Sequence, residues 1–154
     1  MSIHIRPATP DDRAFMFDQA QRLARVAQLP WHAESDLVAF QHRYMNVAFA
    51  RPAQETVTLI AEDAAATRLG FVHAEHATDP VTQELCAYVT VLAVTEAAQG
   101  ARVGASLMTA AEDWARAQGF RLICLDVFAN NGRARAFYAK HGYQDDSLRL
   151  TKPL

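Results

Sequence analysis

The chain has 154 residues, of which 51% are hydrophobic and 21% charged, and its formal net charge is −2. At roughly 100–200 residues per domain, this length predicts a single domain over residues 1–154 with a sizeable core, and the composition excludes a disordered chain. The near-neutral balance excludes a nucleic-acid partner, because binding a phosphate backbone requires a clear excess of cations.

The first third of the chain predicts one strand and two helices. Residues 3–6 alternate in polarity and indicate a strand, and residues 9–12 (TPDD) are typical of a helix start. We expect this helix to extend to about Gln28. A second helix is predicted before Arg51 and Pro52, with one face formed by Leu37, Phe40, Tyr44 and Val47.

In the rest of the chain, segments with the hydrophobic periodicity of strands alternate with segments that have the periodicity of helices. Strands are predicted at 56–62, 69–77 and 84–94, with a hairpin-like turn at 63–68. Next come a helix from Val103 to Gly119, a strand at 121–128 buried on both faces, a helix at 134–141 and a last strand at 143–151. The predicted order is β-α-α-β-β-β-α-β-α-β, an α+β layered architecture.

The cysteines and the N-terminal residues indicate the cellular compartment in which the protein is expected. Cys86 and Cys124 lie in apolar runs, and the sequence contains no Cys/His cluster, so we expect reduced thiols and no metal site. The N-terminal residues do not resemble a signal peptide, and no apolar run approaches the ~20 residues of a membrane span. We therefore expect a cytoplasmic protein without membrane contact.

The junction between the third central strand and the next helix is the first candidate for chemistry. Gly100 and Gly104 lie where a strand turns into a helix, and helix N–H groups at such a turn bind anions, phosphates above all. Many such turns carry glycine for steric reasons alone. The turn is not a nucleotide P-loop, because no Gly-Lys-Ser/Thr follows it.

Two motifs in the right order resemble the GNAT superfamily of acetyl-CoA-dependent N-acetyltransferases, and the resemblance spans nearly the whole chain. Gln99 and Gly104 match the family's phosphate loop. The family's later signature is matched by Asn131, Ala134, Phe137, Tyr138, Gly142 and Tyr143. The start of the chain is similar to the family's first strand and helix through Ile5, Arg6, Pro7, Ala8 and Asp12. The resemblance implies the GNAT fold, a mixed, mostly antiparallel central sheet flanked by about four helices.

The resemblance also implies roles for particular residues. Leu92, Ala93 and Val94 would pair with the pantetheine arm of acetyl-CoA, next to a bulge that splays the sheet. Asn131 would hydrogen-bond the pantetheine, and Tyr138 would lie near the sulfur and protonate or hydrogen-bond the leaving thiolate. The pyrophosphate would be held by the loop of Gln99, Gly100, Ala101, Arg102, Val103, Gly104 and Ala105. Acetyl-CoA is thus the expected co-substrate, transfer is direct, and no metal is required.

Some positions depart from the family pattern. Arg102 stands where glycine is usual, so its side chain either contacts phosphate or lies solvated. Thr90 occupies a position where many members carry an acidic base, and a hydroxyl cannot take a proton from an ammonium of pKa ~10. His73 and Glu75 share a strand face and are the substitute candidates, against a structural or solvated role.

The acceptor side of the site is less determined by the sequence. Trp31, His32 and Tyr44 lie where the family builds its acceptor pocket, while packing is the alternative for each, and Tyr88 is expected in the core or the cleft wall. Residues 99–154 carry a net charge of +3 and residues 1–98 a net charge of −5, which favours an anionic cofactor on one side and a cationic amine on the other.

The resulting prediction is an enzyme that acetylates a primary amine of a small molecule or peptide. The alternative, left open by Thr90, is a GNAT-fold domain that binds acyl-CoA as a sensor or scaffold without turnover. Homodimers are common in the family, so a homodimer is a further expectation.

Overall fold

A five-stranded sheet forms the centre of the computed structural model, which describes residues 2–26 and 29–154. The strands follow chain order across the sheet; they are β1 (His4–Pro7), β2 (Thr56–Glu62), β3 (Arg68–Thr78), β4 (Leu85–Val94) and β5 (Ile123–Leu125). The first three pairings are antiparallel, and β4 and β5 pair in parallel. This arrangement confirms the predicted mixed, mostly antiparallel sheet.

Helices cover both faces of this sheet. They are α1 (Arg13–Val26), α2 (Glu34–Phe49), α3 (Val103–Ala117) and α4 (Gly132–Lys140). Alternate residues of a strand point to opposite faces, so Phe71 packs with α1 and α2 through Met16 and Met45, while Val72 packs with α3 through Leu107. The predicted end of the first helix near Gln28 lies outside the described residues.

The buried face of α2 differs from the predicted one. Leu37, Met45 and Ala48 are buried, whereas Phe40 and Val47 are 41% and 69% exposed. The apolar stripe in the sequence is wider than the contact with α1 and the sheet. The helix therefore turns one edge of the stripe, the edge with Phe40, outward.

The C-terminal predictions were partly wrong. Strand β5 has three residues instead of the predicted eight over 121–128, it forms the edge of the sheet, and it is not buried on both faces because its middle residue, Cys124, is exposed. The predicted last strand over 143–151 does not form, and residues 143–154 have no regular secondary structure. Alternation of Leu148 and Leu150 with polar residues is compatible with a strand, but a strand needs a paired neighbour, and a three-residue edge offers few hydrogen bonds.

The helices show no candidate for a membrane span: within residues 2–26 and 29–154, none is both long and apolar enough to cross a bilayer.

Candidate functional site

Strand β4 carries an irregularity at its centre, and there it also separates from β5. Against β3, His73 pairs with Val91 and Ala74 with Val89, so Thr90 is an extra residue on β4, which is the signature of a β-bulge. The parallel pairing with β5 ends at Val89 and Leu125. From Thr90 to Val94, β4 therefore continues along β3 alone, and its other edge faces no strand of the described chain.

Alternation along this free segment decides which backbone groups are available. The Thr95 N–H donates to the Leu69 carbonyl, so the groups of Thr95 and Ala93 point toward β3 and those of Leu92 and Val94 point away from it. Leu92 and Val94 thus present N–H and C=O groups along the free edge, while Ala93 does not. Arg22, from α1, donates from Nη2 to the Val94 carbonyl oxygen.

The loop after β4 directs further N–H groups outward. A 3₁₀ turn over Glu96–Ala98 leads to Gly100 and Arg102, which have φ angles of +85° and +64°, and α3 begins at Val103. The first N–H groups of a helix have no carbonyl to bond within it, and residues with positive φ turn neighbouring amides to one side. This loop is therefore suited to bind an anion.

The two motifs found in the sequence meet in space. Arg133, in the first turn of α4, donates from Nη1 to Gln99 Oε1 at 2.5 Å. A Cβ placed on Gly104 would lie 3.4 Å from a ring carbon of Phe137 and 3.6 Å from a methyl carbon of Val94. The loop, the end of β4 and helix α4 thus border one region.

Helix α4 carries Asn131 and Tyr138 toward the same part of the molecule. Asn131 caps the helix, with Oδ1 accepting from the Ala134 N–H at 3.1 Å. The Tyr138 ring makes edge contacts with Phe137 and Tyr143. Burial raises the pKa of Tyr138 to about 12, so its phenol is protonated at neutral pH and can donate a proton.

His73 and Glu75 lie on the opposite side of the bulge, on the sheet face toward α2. The His73 ring is 1% exposed, packs edge-on against Phe49 and pairs through Nδ1 with the Thr58 hydroxyl at 2.7 Å. Its Nε2 lies 3.7 Å from Glu75 Oε2. Burial, and to a smaller degree Arg51, lower the pKa of His73 to about 4, so the ring is neutral at pH 7.

Glu75 is a partly buried carboxylate beside the bulge residue Thr90. Burial raises its pKa, while Arg51 at 3.5 Å and the neighbouring Thr90 hydroxyl oppose the rise. Neither Glu75 Oε2 nor Thr90 Oγ1 completes a hydrogen bond with another protein group. A carboxylate with a raised pKa and a free oxygen is suited to accept a proton.

A chain of two phenols and a carboxylate adjoins Glu75. The Tyr44 hydroxyl donates to the Tyr88 hydroxyl at 3.0 Å, and the Tyr88 hydroxyl donates to Asp126 Oδ2 at 2.6 Å. Burial, Asp126 and Tyr44 raise the pKa of Tyr88, so it remains a donor. Tyr88 thus joins Tyr44 to Asp126 on the sheet face that carries Glu75. Sequence reasoning did not select Asp126, whose signal was a single acid in the apolar run of 121–128.

The structure separates the three aromatic candidates of the acceptor region. Tyr44 belongs to the polar cluster just described and stacks on Phe40 at 5.4 Å between ring centroids. His32 instead lines a cavity of about 290 Å³ between the start of α2 and the chain before it. Trp31 is 42% exposed. Of the three, Tyr44 is the one joined to Tyr88 and Asp126.

In the part of the chain that the structure describes, no group of three or more His, Cys, Asp or Glu side chains is arranged to hold a metal ion.

Comparison with known proteins gives a family model and a curated relative that match this chain. Residues 18–143 match the model of the acetyltransferase (GNAT) family. A mycothiol acetyltransferase of Jonesia denitrificans is 34% identical over 128 residues, which is 80% of this chain and 39% of the relative. The chain therefore spans well under half the length of that curated relative.

Solved structures extend the likeness to the fold. A protein of Pyrococcus furiosus has a TM-score of 0.83 at 20% identity, covering 99% of this chain and 100% of that one. A GCN5-related N-acetyltransferase from Ralstonia eutropha JMP134 has a TM-score of 0.77 at 19% identity, covering 99% of both chains. At these identities the likeness shows the fold alone. Because the family model covers most of the chain, this protein belongs to the acetyltransferase (GNAT) family.

Proposed function

We propose that this protein transfers an acetyl group directly from acetyl-CoA to a primary amine of a small molecule or peptide. The observation that carries the proposal is the free edge of β4 beyond the Thr90 bulge, which opens beside the anion-binding loop of 99–105 and between the two candidate proton-transfer residues. An acyl carrier with an amide-containing arm and a phosphate end matches this combination.

The residues that would hold acetyl-CoA fall into two groups. Leu92 and Val94 would pair through their backbones with the pantetheine arm, with Ala93 between them and Asn131 as a further donor. Arg22 contacts the Val94 carbonyl oxygen, so it must withdraw from that oxygen for pairing there. The pyrophosphate would lie on the loop of Gln99, Gly100, Ala101, Arg102, Val103, Gly104 and Ala105, at the N-terminus of α3.

The reaction requires one proton to leave the amine and one to reach sulfur. The amine nitrogen attacks the thioester carbonyl carbon, the C–S bond breaks as the N–C bond is completed, and the thiolate leaves. We assign Glu75 as the base that takes the amine proton and Tyr138 as the acid that protonates the thiolate. His73 is a positioning residue: when its Nδ1 accepts from Thr58, its Nε2–H points at Glu75.

The first test is thiol release from acetyl-CoA in the presence of amines, amino acids, aminoglycosides and peptide N-termini. We expect at least one amine class to raise thiol release well above the acceptor-free rate. Tight binding of acetyl-CoA in calorimetry, with no amine raising thiol release, would instead support the sensor or scaffold alternative.

Two variants test the assigned roles. We expect Glu75→Gln to lower kcat/KM by about 10²-fold and to remove the acidic limb of the pH profile, because the wild-type base is active only above its raised pKa.

Tyr138→Phe is expected to slow turnover by about tenfold or more with acetyl-CoA affinity nearly unchanged. Glu84→Gln and Tyr143→Phe are the matched controls, since Glu84 pairs with Arg121 and Tyr143 donates to Glu112. Unchanged turnover in a variant removes that residue from its role.

A further inference from the structure

The polar cluster on the acceptor face contains more negative charge than the proposed transfer needs. Glu75 alone is assigned to the amine proton, yet Asp126 lies at the end of the Tyr44–Tyr88 chain on the same face. Asp126 accepts from Tyr88 through Oδ2, and among the described residues no cation forms an ion pair with it.

Arg51, the cation of this cluster, already pairs with two carboxylates. Arg51 lies 2.9 Å from Glu55 and 3.5 Å from Glu75, so it neutralises these two carboxylates only in part and does not serve Asp126. With Arg51, Glu55, Glu75 and Asp126 ionised, the cluster has a net charge of −2. A ligand carrying two positive charges would balance it.

The spacing of the carboxylates of Glu75 and Asp126 follows from the sheet. Glu75 is on β3 and pairs with Tyr88 on β4, and Tyr88 reaches Asp126, which follows β5. Neighbouring strands are about 4.8 Å apart, so the strands of the two carboxylates are separated by about 10 Å. Glu75 and Asp126 therefore flank Tyr88 at a distance that one small molecule with two amines can span.

Unpartnered buried atoms independently indicate a ligand at the Glu75 end. His73 is 99% buried, and its Nε2, aimed at Glu75, has no hydrogen-bond partner in the protein; the same holds for Glu75 Oε2 and Thr90 Oγ1. An amine provides the N–H donors that the two oxygens lack. Beside Tyr88, the Tyr44 ring stacks on Phe40 and adds apolar surface that a methylene spacer can contact.

We propose that Asp126, oriented by Tyr88 and Tyr44, binds a second cationic group of the acceptor, and that the acceptor is therefore a diamine. This inference rests on the proposed function. One nitrogen loses its proton to Glu75 and becomes acetylated, while the other stays protonated and bonds to Asp126. Asp126 thus determines acceptor specificity without taking part in proton transfer.

The test compares 1,4-diaminobutane with 4-aminobutan-1-ol, which has the same spacer and a single amine. We expect wild-type kcat/KM to be about tenfold higher for the diamine, and Asp126→Asn to lower the diamine value about tenfold more than the aminoalcohol value, since a charge-assisted hydrogen bond is lost. Tyr88→Phe is expected to reduce the preference in the same direction. Asp113→Asn, on the opposite face of the sheet, removes the same charge and is the control.

Calorimetry of diamine binding to the acetyl-CoA-free protein provides a readout that does not need turnover. We expect Asp126→Asn to weaken diamine binding and Asp113→Asn to leave it unchanged. Equal kcat/KM for both amines, an equal loss for both in Asp126→Asn, or diamine binding that does not depend on Asp126 would overturn the inference. Absence of turnover with every amine, with Asp126-dependent diamine binding retained, would contradict the proposed function and leave the subsite supported.

Discussion

Asp12 is a fully buried carboxylate at the start of the first helical segment, and its partners come from three parts of the chain. Arg6 on β1 donates to both of its oxygens at 2.8 and 3.0 Å, Arg68 on β3 donates at 2.6 Å, and the Thr9 N–H donates at 2.8 Å. These hydrogen bonds hold the pKa of Asp12 well below its usual range, with Arg6 making the largest contribution. Asp12 therefore fastens the entry to α1 to the edge of the sheet.

We expect Asp12→Asn to lower the free energy of unfolding by about 3 kcal/mol at pH 7, because it leaves Arg68 without its anion and Arg6 with Glu62 alone. A carboxylate with a depressed native pKa stabilises the fold above its unfolded pKa of about 4, and this stabilisation is lost as the pH falls further. The difference between wild type and variant should therefore shrink below about pH 4. Urea denaturation over a pH series measures it, with the exposed neighbour variant Asp11→Asn as control. A difference that is independent of pH would contradict this role.

At the level of elements, the sequence predicted the central strands well because their own residues specify them. Strands β2, β3 and β4 match the predicted runs within about one residue, and the hairpin turn between β2 and β3 is fastened by Asp63, which accepts from the N–H groups of Ala65 and Thr67. The predicted last strand failed because its pairing depends on β5, and local alternation carries no information about the length of a partner.

The same distinction applies to the site. The loop of 99–105 and the start of α4 were predictable because each carries a local motif. Asp126 was not, since only the parallel register of β4 and β5 brings it to Tyr88. The bulge at Thr90 was expected from the family resemblance, but its position depends on how β4 pairs with β3.

At the junction of β4 and α3, the backbone of Arg102 is in a strained conformation. Arg102 has a φ of +64° immediately before α3, a region that costs a residue with a Cβ about 1–2 kcal/mol. We expect Arg102→Gly to raise the free energy of unfolding by about 0.5–1 kcal/mol after the entropy cost of glycine. If the arginine contacts phosphate, the same variant weakens acetyl-CoA binding severalfold.

Chemical denaturation and calorimetry on the same samples separate these outcomes. Arg149→Gly is the control, because it removes the same charge in the irregular C-terminal segment, where glycine interrupts no helix. Arg116→Gly is unsuitable, because it would place glycine inside α3. Greater stability with unchanged acetyl-CoA affinity would show that the Arg102 side chain is solvated in the complex.

For the whole molecule, the structure shows which charged residues of each region are paired or cap turns and which lie near the proposed acceptor site. Residues 55–98 contain seven acids and one arginine, which suggested an acidic acceptor side. Most of these acids are used elsewhere: Glu62 pairs with Arg6, Glu84 with Arg121, and Asp63 and Asp79 cap turns. The negative charge at the proposed acceptor face comes from Glu55, Glu75 and Asp126, of which Asp126 belongs to the net basic part of the chain.

The charge of the cofactor side gives the last prediction. The loop of 99–105 contains Arg102 and is contacted by Arg133 through Gln99, and the proposed ligand places phosphates beside both arginines. Raising the salt concentration from about 0.05 M to about 0.5 M shortens the Debye length severalfold, so the Kd of acetyl-CoA should rise severalfold. S-acetyl-pantetheine, which lacks the phosphates, is expected to bind more weakly and with little dependence on salt. Calorimetric titrations of both ligands measure the difference. The same salt dependence for both would mean that the phosphates do not meet this basic loop and that the cofactor lies elsewhere along β4.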